Sequence, residues 1–306
     1  MSFIFSWVIT RNSFILSIVR KHIYIIFVSA FSLILNSCKQ SVITSWYYNK
    51  INARFLLSKE KEKDIVIGVL DSIINKDFKI FFNEDTFIDG YDFVDNDSEP
   101  YTEFNLHGSY ISYLIAGKEY DGLSGIDSRL KIMPIRVFDE SGNTSDDLIY
   151  QGLKYAIEHG CDVINMSYAS SKYNQRNDTL IQNNTDIKYI ASVGDFSSTE
   201  FCYPALYDNV IAISAVDESD NLYTYSNTSK NKDSILVPGV MLPILSVHIN
   251  DDVIKTLVSG SSFSTAIMSG VIGSLLLSRN LNEEALLNNE VYTNDYFDCR
   301  KLILNK

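Results

Sequence analysis

The chain is poor in the residues that small cross-linked scaffolds and metal modules depend on. Its 306 residues include four cysteines, Cys38, Cys161, Cys202 and Cys299. They are too widely separated to form a thiolate metal signature, and no disulfide framework is indicated. Basic residues are also scarce, with 26 Lys and Arg against 38 Asp and Glu, for a net charge of −12. An acidic balance of this size argues against nucleic acid as a partner. No internal repeat or low-complexity tract is present, so the length and the 46% hydrophobic content point to one large core.

Two further absences concern the start of the chain. No acidic residue precedes Glu60, whereas Arg11, Arg20 and Lys21 stand before the apolar run 23–35. That run is short for a membrane span and suits the core of a signal peptide. Leu35-Asn36-Ser37-Cys38 follows directly and resembles a bacterial lipobox, which makes Cys38 the expected lipidated residue; the alternative is a signal anchor with an incidental cysteine. Residues 1–37 are thus expected to be a signal peptide of lipoprotein type, 38–63 a tether and 64–306 the folded domain. This implies an extracytoplasmic protein held at a bacterial membrane by lipid, acting as a monomer. Residues 1–37 hold three basic and no acidic residues, so their removal leaves a net charge of −15.

What is present is chemically pointed. Residues 65–70, Ile-Val-Ile-Gly-Val-Leu, form a short apolar run rich in β-branched residues, the pattern of a buried parallel strand, and it delivers Asp71 at its carboxyl end. His107 precedes a run with Ile111, Leu114 and Ile115 at helical spacing, so the imidazole belongs at a helix start. Ser262 follows Ser259-Gly260-Ser261 and opens the small, apolar stretch Ala266–Leu277, a second expected helix. A hydroxyl there sits at the positive end of the helix dipole, beside backbone N–H groups able to stabilise developing negative charge. Acid, base and nucleophile in this order fit nucleophilic catalysis, with Asp71 orienting His107 and His107 taking the Ser262 proton. Strands over 129–138, 162–168, 188–193 and 210–216 and a helix from Asp146 to Gly160 alternate as a doubly wound, mostly parallel α/β sheet with helices on both faces requires.

These segments resemble those of the subtilisin-like serine proteases. Val-Ile-Gly-Val-Leu-Asp-Ser matches the family's aspartate segment, His107 to Gly117 its histidine box, and Ser259 to Ala266 its serine box. Between them, Asp162–Ala169, Tyr189–Asp195 and Tyr203–Asp217 resemble further family segments, so that the likeness runs over roughly residues 64–277. The resemblance implies a serine endopeptidase that takes a peptide or protein substrate. It implies further that Ser167, Tyr168 and Ala169 line one wall of the pocket for the residue before the scissile bond and Ser192, Val193 and Gly194 the other. Thr144, Ser145 and Asp146 match an outer segment along the substrate. The preference of the pocket is not readable from the sequence, because the loop between Asp195 and Tyr203 is short and Cys202 falls near the pocket floor.

Two departures stand out. Asp195 occupies the position where the family has an asparagine that donates to the oxyanion, and Ala266-Ile267 replaces a Pro-His pair. A carboxylate repels the developing oxyanion unless it is protonated, so the expectation is a slow enzyme with its optimum shifted to lower pH; the alternative is a catalytically impaired binding protein of the same fold. No metal ligand is assigned. Calcium occurs in the family, but the region after the histidine helix offers a single plausible ligand, Asp121, and the acidic stretch 89–100 reads as a polar surface turn.

Overall fold

The computed structural model describes residues 45–72, 74–102, 106–247, 252–282, 292–293 and 296–302. Residues 1–44, which include the expected signal peptide and Cys38, lie outside the described residues.

The apolar runs become strands where expected. β1 (Val66–Asp71), β2 (Ile74–Asn75), β3 (Tyr91–Asp92), β4 (Tyr101–Thr102), β5 (Lys131–Arg136), β6 (Val163–Met166), β7 (Lys188–Ser192), β8 (Val210–Val216) and β9 (Ile235–Pro238) follow in chain order. Seven of them build one parallel sheet in the order β3-β5-β1-β6-β7-β8-β9, while β2 pairs with β4 outside it. β1 lies between β5 and β6, with Asp71 opposite Arg136 and Ile67 opposite Val163. Strand order reverses around β1, and an open parallel sheet places its crevice beyond the carboxyl ends at such a point.

Helices cover both faces, as their sequences demand. α3 (His107–Ala116) and α6 (Ser261–Leu277) pack on one side. α6 is buried on nearly all sides, in keeping with a sequence apolar all round, and its small polar residues bond inward: Ser264 Oγ donates to the Val237 and Pro238 carbonyls. On the other face lie α4 (Asp146–Glu158) and α5 (Gln175–Gln182). The Ser145 side chain caps α4 by accepting the Leu148 N–H, and Asp146 and Asp147 stand in its first turn, so the outer segment serves as a helix start. The antiparallel pair β10 (Leu242–Val247) and β11 (Val253–Val258) has no counterpart in the sequence reading. Beyond α6 the described residues continue to 282 and resume at 292. What is described there is the short pair β12 (Tyr292–Thr293) and β13 (Tyr296–Phe297), then a 3₁₀ turn, Cys299–Leu302.

The stretch expected as a tether, 38–63, either stands free or packs against the domain, and its described part packs. From Ser45 onward it is core: α1 (Trp46–Lys50) and α2 (Arg54–Leu57) bury Tyr47, Tyr48, Ile51 and Leu56 to 1% exposure or less. The Tyr47 hydroxyl donates to the Ser124 carbonyl at 2.7 Å, and the Arg129 guanidinium reaches the carbonyls of Leu56 and Lys59. Full burial of each large side chain contributes about 1.5–3 kcal/mol, more than a free tether would leave unused. Composition hid this, because the charged run Lys59–Lys63 that follows reads as a linker.

The acidic stretch 89–100 is likewise more than a surface turn. Arg136, only 2% exposed at its side chain, pairs with Asp92 at 2.7 Å, Asp95 at 2.5 Å and Glu140 at 2.5 Å. One buried cation thereby anchors the loop to the strand next to Asp71.

Candidate active site

At the crevice beyond β1, Asp71 and His107 are bonded to each other, and Ser262 precedes Phe263, whose ring lies beside that of His107. Asp71 ends β1 at 4% exposure, and its Oδ1 accepts from His107 Nδ1 at 2.8 Å, from the Ser72 N–H at 2.7 Å and from the Ser72 hydroxyl at 3.1 Å. Ser72 Oγ in turn accepts the Gly108 N–H at the start of α3. Ser72 therefore ties the carboxylate to the helix that carries the imidazole. Burial lowers the His107 pKa, but the Asp71 charge and hydrogen bond outweigh it, and the imidazole is held above its ordinary value.

Ser262 is the second residue of α6, and the His107 ring lies 5.7 Å from that of Phe263. The Ser262 hydroxyl donates to the Ser167 carbonyl at 2.9 Å, while Ser167 Oγ donates back to the Ser262 carbonyl at 2.9 Å. Behind them, Asn165 Nδ2 donates to Ser167 Oγ, and Asn165 Oδ1 accepts from Ser269 Oγ on α6. Asn165 is fully buried, so this chain of bonds fixes the serine helix against β6.

Asp195 comes to the same helix start from β7. Its Oδ2 accepts the Ser261 N–H at 2.8 Å, which makes the carboxylate the cap of α6. The approach needs Gly260: its φ is +148°, and a side-chain carbon there would stand 3.0 Å from Asp195 Oδ2. Asp195 Oδ1 is buried and has no hydrogen-bond partner among the described residues. Burial raises the Asp195 pKa against the opposing hydrogen bonds from Ser261.

Two walls flank the serine. Ser167, Tyr168 and Ala169 extend β6; Ser192 ends β7, with its Oγ bonded to Ser261 Oγ at 2.6 Å, and Val193 and Gly194 extend it. A cleft of about 210 Å³ opens beside His107, Ser167 and Tyr168 and is roofed by Phe138, whose ring centroid lies 5.4 Å from that of Tyr168. Asn227 was not foreseen. Its Oδ1 accepts the N–H groups of Phe196 and Ser198, and its Nδ2 donates to the Val193 carbonyl and Cys202 Sγ, so it shapes the loop after Asp195. Nothing in the local sequence marks it, because it lies 32 positions beyond the aspartate. Ser72 and Asn165 do stand inside segments that carried signal, one beside Asp71 and one in the strand of Ser167.

Asp121 pairs with Lys255 at 2.8 Å, and among the described residues no three His, Cys, Asp or Glu side chains converge as ligands. Cys161, Cys202 and Cys299 are free and buried.

A doubly wound parallel sheet with Asp at a strand end, His and Ser at two helix starts, and walls extending two neighbouring strands defines the subtilisin-like class of α/β proteins. The chain belongs to the subtilase family, peptidase S8, whose family model matches residues 62–305. It is similar to a thermophilic serine proteinase of Bacillus sp. (strain AK1), with 29% identity over 64% of this chain and 48% of the relative. It is similar also to halolysin of Haloferax mediterranei, with 29% identity over 73% of this chain and 44% of the relative. Thermitase of Thermoactinomyces vulgaris is 30% identical over 61% of this chain and 67% of its own length. The chain thus spans about half the length of the first two relatives.

Proposed function

We propose that this protein is a serine endopeptidase that hydrolyses peptide bonds through Asp71, His107 and Ser262. The observation that carries the reading is the 2.8 Å bond from His107 Nδ1 to a buried carboxylate, with Ser262 across the crevice at the start of α6. The bond holds Nδ1 protonated and leaves Nε2 as the base. Rotation of the Ser262 hydroxyl from the Ser167 carbonyl towards that nitrogen starts the reaction. Ser262 Oγ attacks the substrate carbonyl as its proton passes to His107. The carbon–nitrogen bond then breaks, and the amine leaves with that proton. Water, deprotonated by the same imidazole, releases the acid and returns the proton to Ser262.

The helix start supplies the Ser262 N–H for the oxyanion, one of the first-turn groups without an acceptor inside the helix. The partner donor must be Asp195 in its protonated form. An ionised Asp195 favours a second reading, a binding protein with the same crevice, because it would place negative charge where the oxyanion forms. A fluorophosphonate probe, which labels only an activated serine, separates the two. Labelling lost in Ser262→Ala supports the peptidase; no labelling of folded protein at any pH supports the binding protein.

The cellular setting belongs to the same proposal. The basic start, the run 23–35 and Leu35-Asn36-Ser37-Cys38 support lipidation at Cys38 and a place on the outer side of a bacterial membrane, and the reading adds a monomer that processes a secreted peptide there. Metabolic labelling with a fatty-acid probe tests the anchor. Incorporation that disappears in Cys38→Ala is expected.

A further inference from the structure

We propose that the enzyme cleaves after small residues, glycine, alanine or serine, because Ala169 and Cys202 close the slot beside Ser262. The inference rests on the endopeptidase reading and extends it to substrate class.

The slot follows from two neighbouring strands. β6 and β7 pair in parallel as far as Met166 and Ala191, and beyond them the chain continues as two walls. One wall is bonded to the serine through Ser167, the other to Ser261 through Ser192 and Asp195. A peptide whose carbonyl is attacked by Ser262 Oγ must lay the side chain of that same residue between them.

The walls nearly touch. A side-chain carbon on Gly194 would lie 3.3 Å from Ala169 Cβ, 3.2 Å from Cys202 Sγ and 2.7 Å from Asn227 Nδ2. One further carbon–carbon bond puts Gly194 Cα at most about 5 Å from the Ala169 methyl. A ring or branched chain laid between two walls needs a contact of about 3.5–4.0 Å on each side, or about 7–8 Å in all. Neither fits at the level of Ala169.

The closure is held by backbone. Ser170 and Tyr203 exchange two hydrogen bonds of 2.8 Å across the far end, and the Cys202 N–H donates to the Val193 carbonyl at 3.0 Å. The segment Cys202-Tyr203 thus crosses from one wall to the other as a floor. Charged side chains meet a further obstacle: Asn227, the polar side chain at this floor, has both of its terminal atoms engaged.

The test uses the full chain in detergent with internally quenched peptides that differ only before the scissile bond, bearing Gly, Ala, Ser, Leu, Phe or Lys, beside fluorophosphonate labelling. Each excess methylene is worth about 10–200-fold in discrimination. The alanine peptide is therefore expected to exceed the leucine, phenylalanine and lysine peptides by at least ~100-fold in kcat/KM. Ala169→Gly is expected to raise the leucine-to-alanine ratio at least ~10-fold, and Cys202→Ala, which removes the sulfur from the floor, to raise it in the same direction. Should Ala169→Gly fail to fold, the Cys202→Ala ratio decides. Labelled enzyme that cleaves the leucine, phenylalanine or lysine peptide as well as the alanine one overturns the slot and leaves the peptidase standing. Absence of both labelling and cleavage overturns the peptidase reading and the slot with it.

Discussion

Asp195 accepts the backbone N–H of Ser261 at 2.8 Å, so the residue that should donate to the oxyanion caps the nucleophile's helix as an acceptor. Two forces act on its proton in opposite senses. Burial of the carboxyl, with Oδ1 unpartnered among the described residues, favours the neutral form. The Ser261 hydrogen bond and the positive end of α6 favour the anion.

The pH dependence follows from these shifts. Asp195 is raised, so it keeps its proton above the ordinary carboxylate range and loses it as pH climbs further. His107 is also raised, so it becomes a neutral base only above its ordinary value. Hydrolysis needs a protonated Asp195 together with a neutral His107, which are abundant at opposite ends of the scale. The expected profile of kcat/KM is a low bell, falling on the alkaline side as Asp195 ionises. Asp195→Asn should abolish the alkaline limb and raise the rate by about 10²–10³-fold there, the worth of one oxyanion donor. A variant no faster at alkaline pH would overturn the assignment.

Asp71→Asn should leave the crevice folded and reverse the imidazole. An amide nitrogen facing Nδ1 favours the tautomer with its proton on Nε2, which cannot serve as base. A fall of about 10⁴ in kcat is expected with little change in KM, read from initial rates on a single peptide. Ser72→Ala should cost less, since it removes one of three donors to the same oxygen and the link to Gly108.

Arg136→Gln should destabilise the fold. Asp92 is 1% exposed and loses its cation, and an unpaired buried charge costs about 3–5 kcal/mol. Urea unfolding should show the midpoint falling at constant slope. The strand next to Asp71 then loses its anchored loop, so activity is expected to fall before global unfolding begins.

Ile51→Ala tests the first helices. Ile51 is fully buried, and its carbonyl accepts the Cys299 N–H from the far end of the chain. Removing three carbons there should cost about 2–5 kcal/mol. A loss below 0.5 kcal/mol, about the level of a surface change, would contradict the place of residues 45–58 in the core.

The strands of the sheet were legible wherever burial on both faces wrote a continuous apolar run, as at 65–70, 188–193 and 210–216. α4 was legible because a cap, an acidic first turn and a terminal glycine all agree. β10 and β11 were not legible: β11 mixes exposed and half-buried positions with no period of two, and its pairing is set by the partner across the hairpin. α1 and α2 were missed for a related reason, since helices of five and four residues carry too few turns to show a period.

By itself, the sequence determined the chemistry at hand: an aspartate closing a buried strand, a histidine and a serine opening two helices, and a carboxylate where a donor was due. Those are local matters, written in residue type, apolar runs and capping. Tertiary structure decided what surrounds them. It set Arg136 among three carboxylates, turned a supposed tether into core, and brought Asn227 and Cys202 against Gly194. The physical reason is distance along the chain. The width of a slot between two walls depends on contacts between segments 8 to 33 positions apart, and no local pattern records how closely such segments pack.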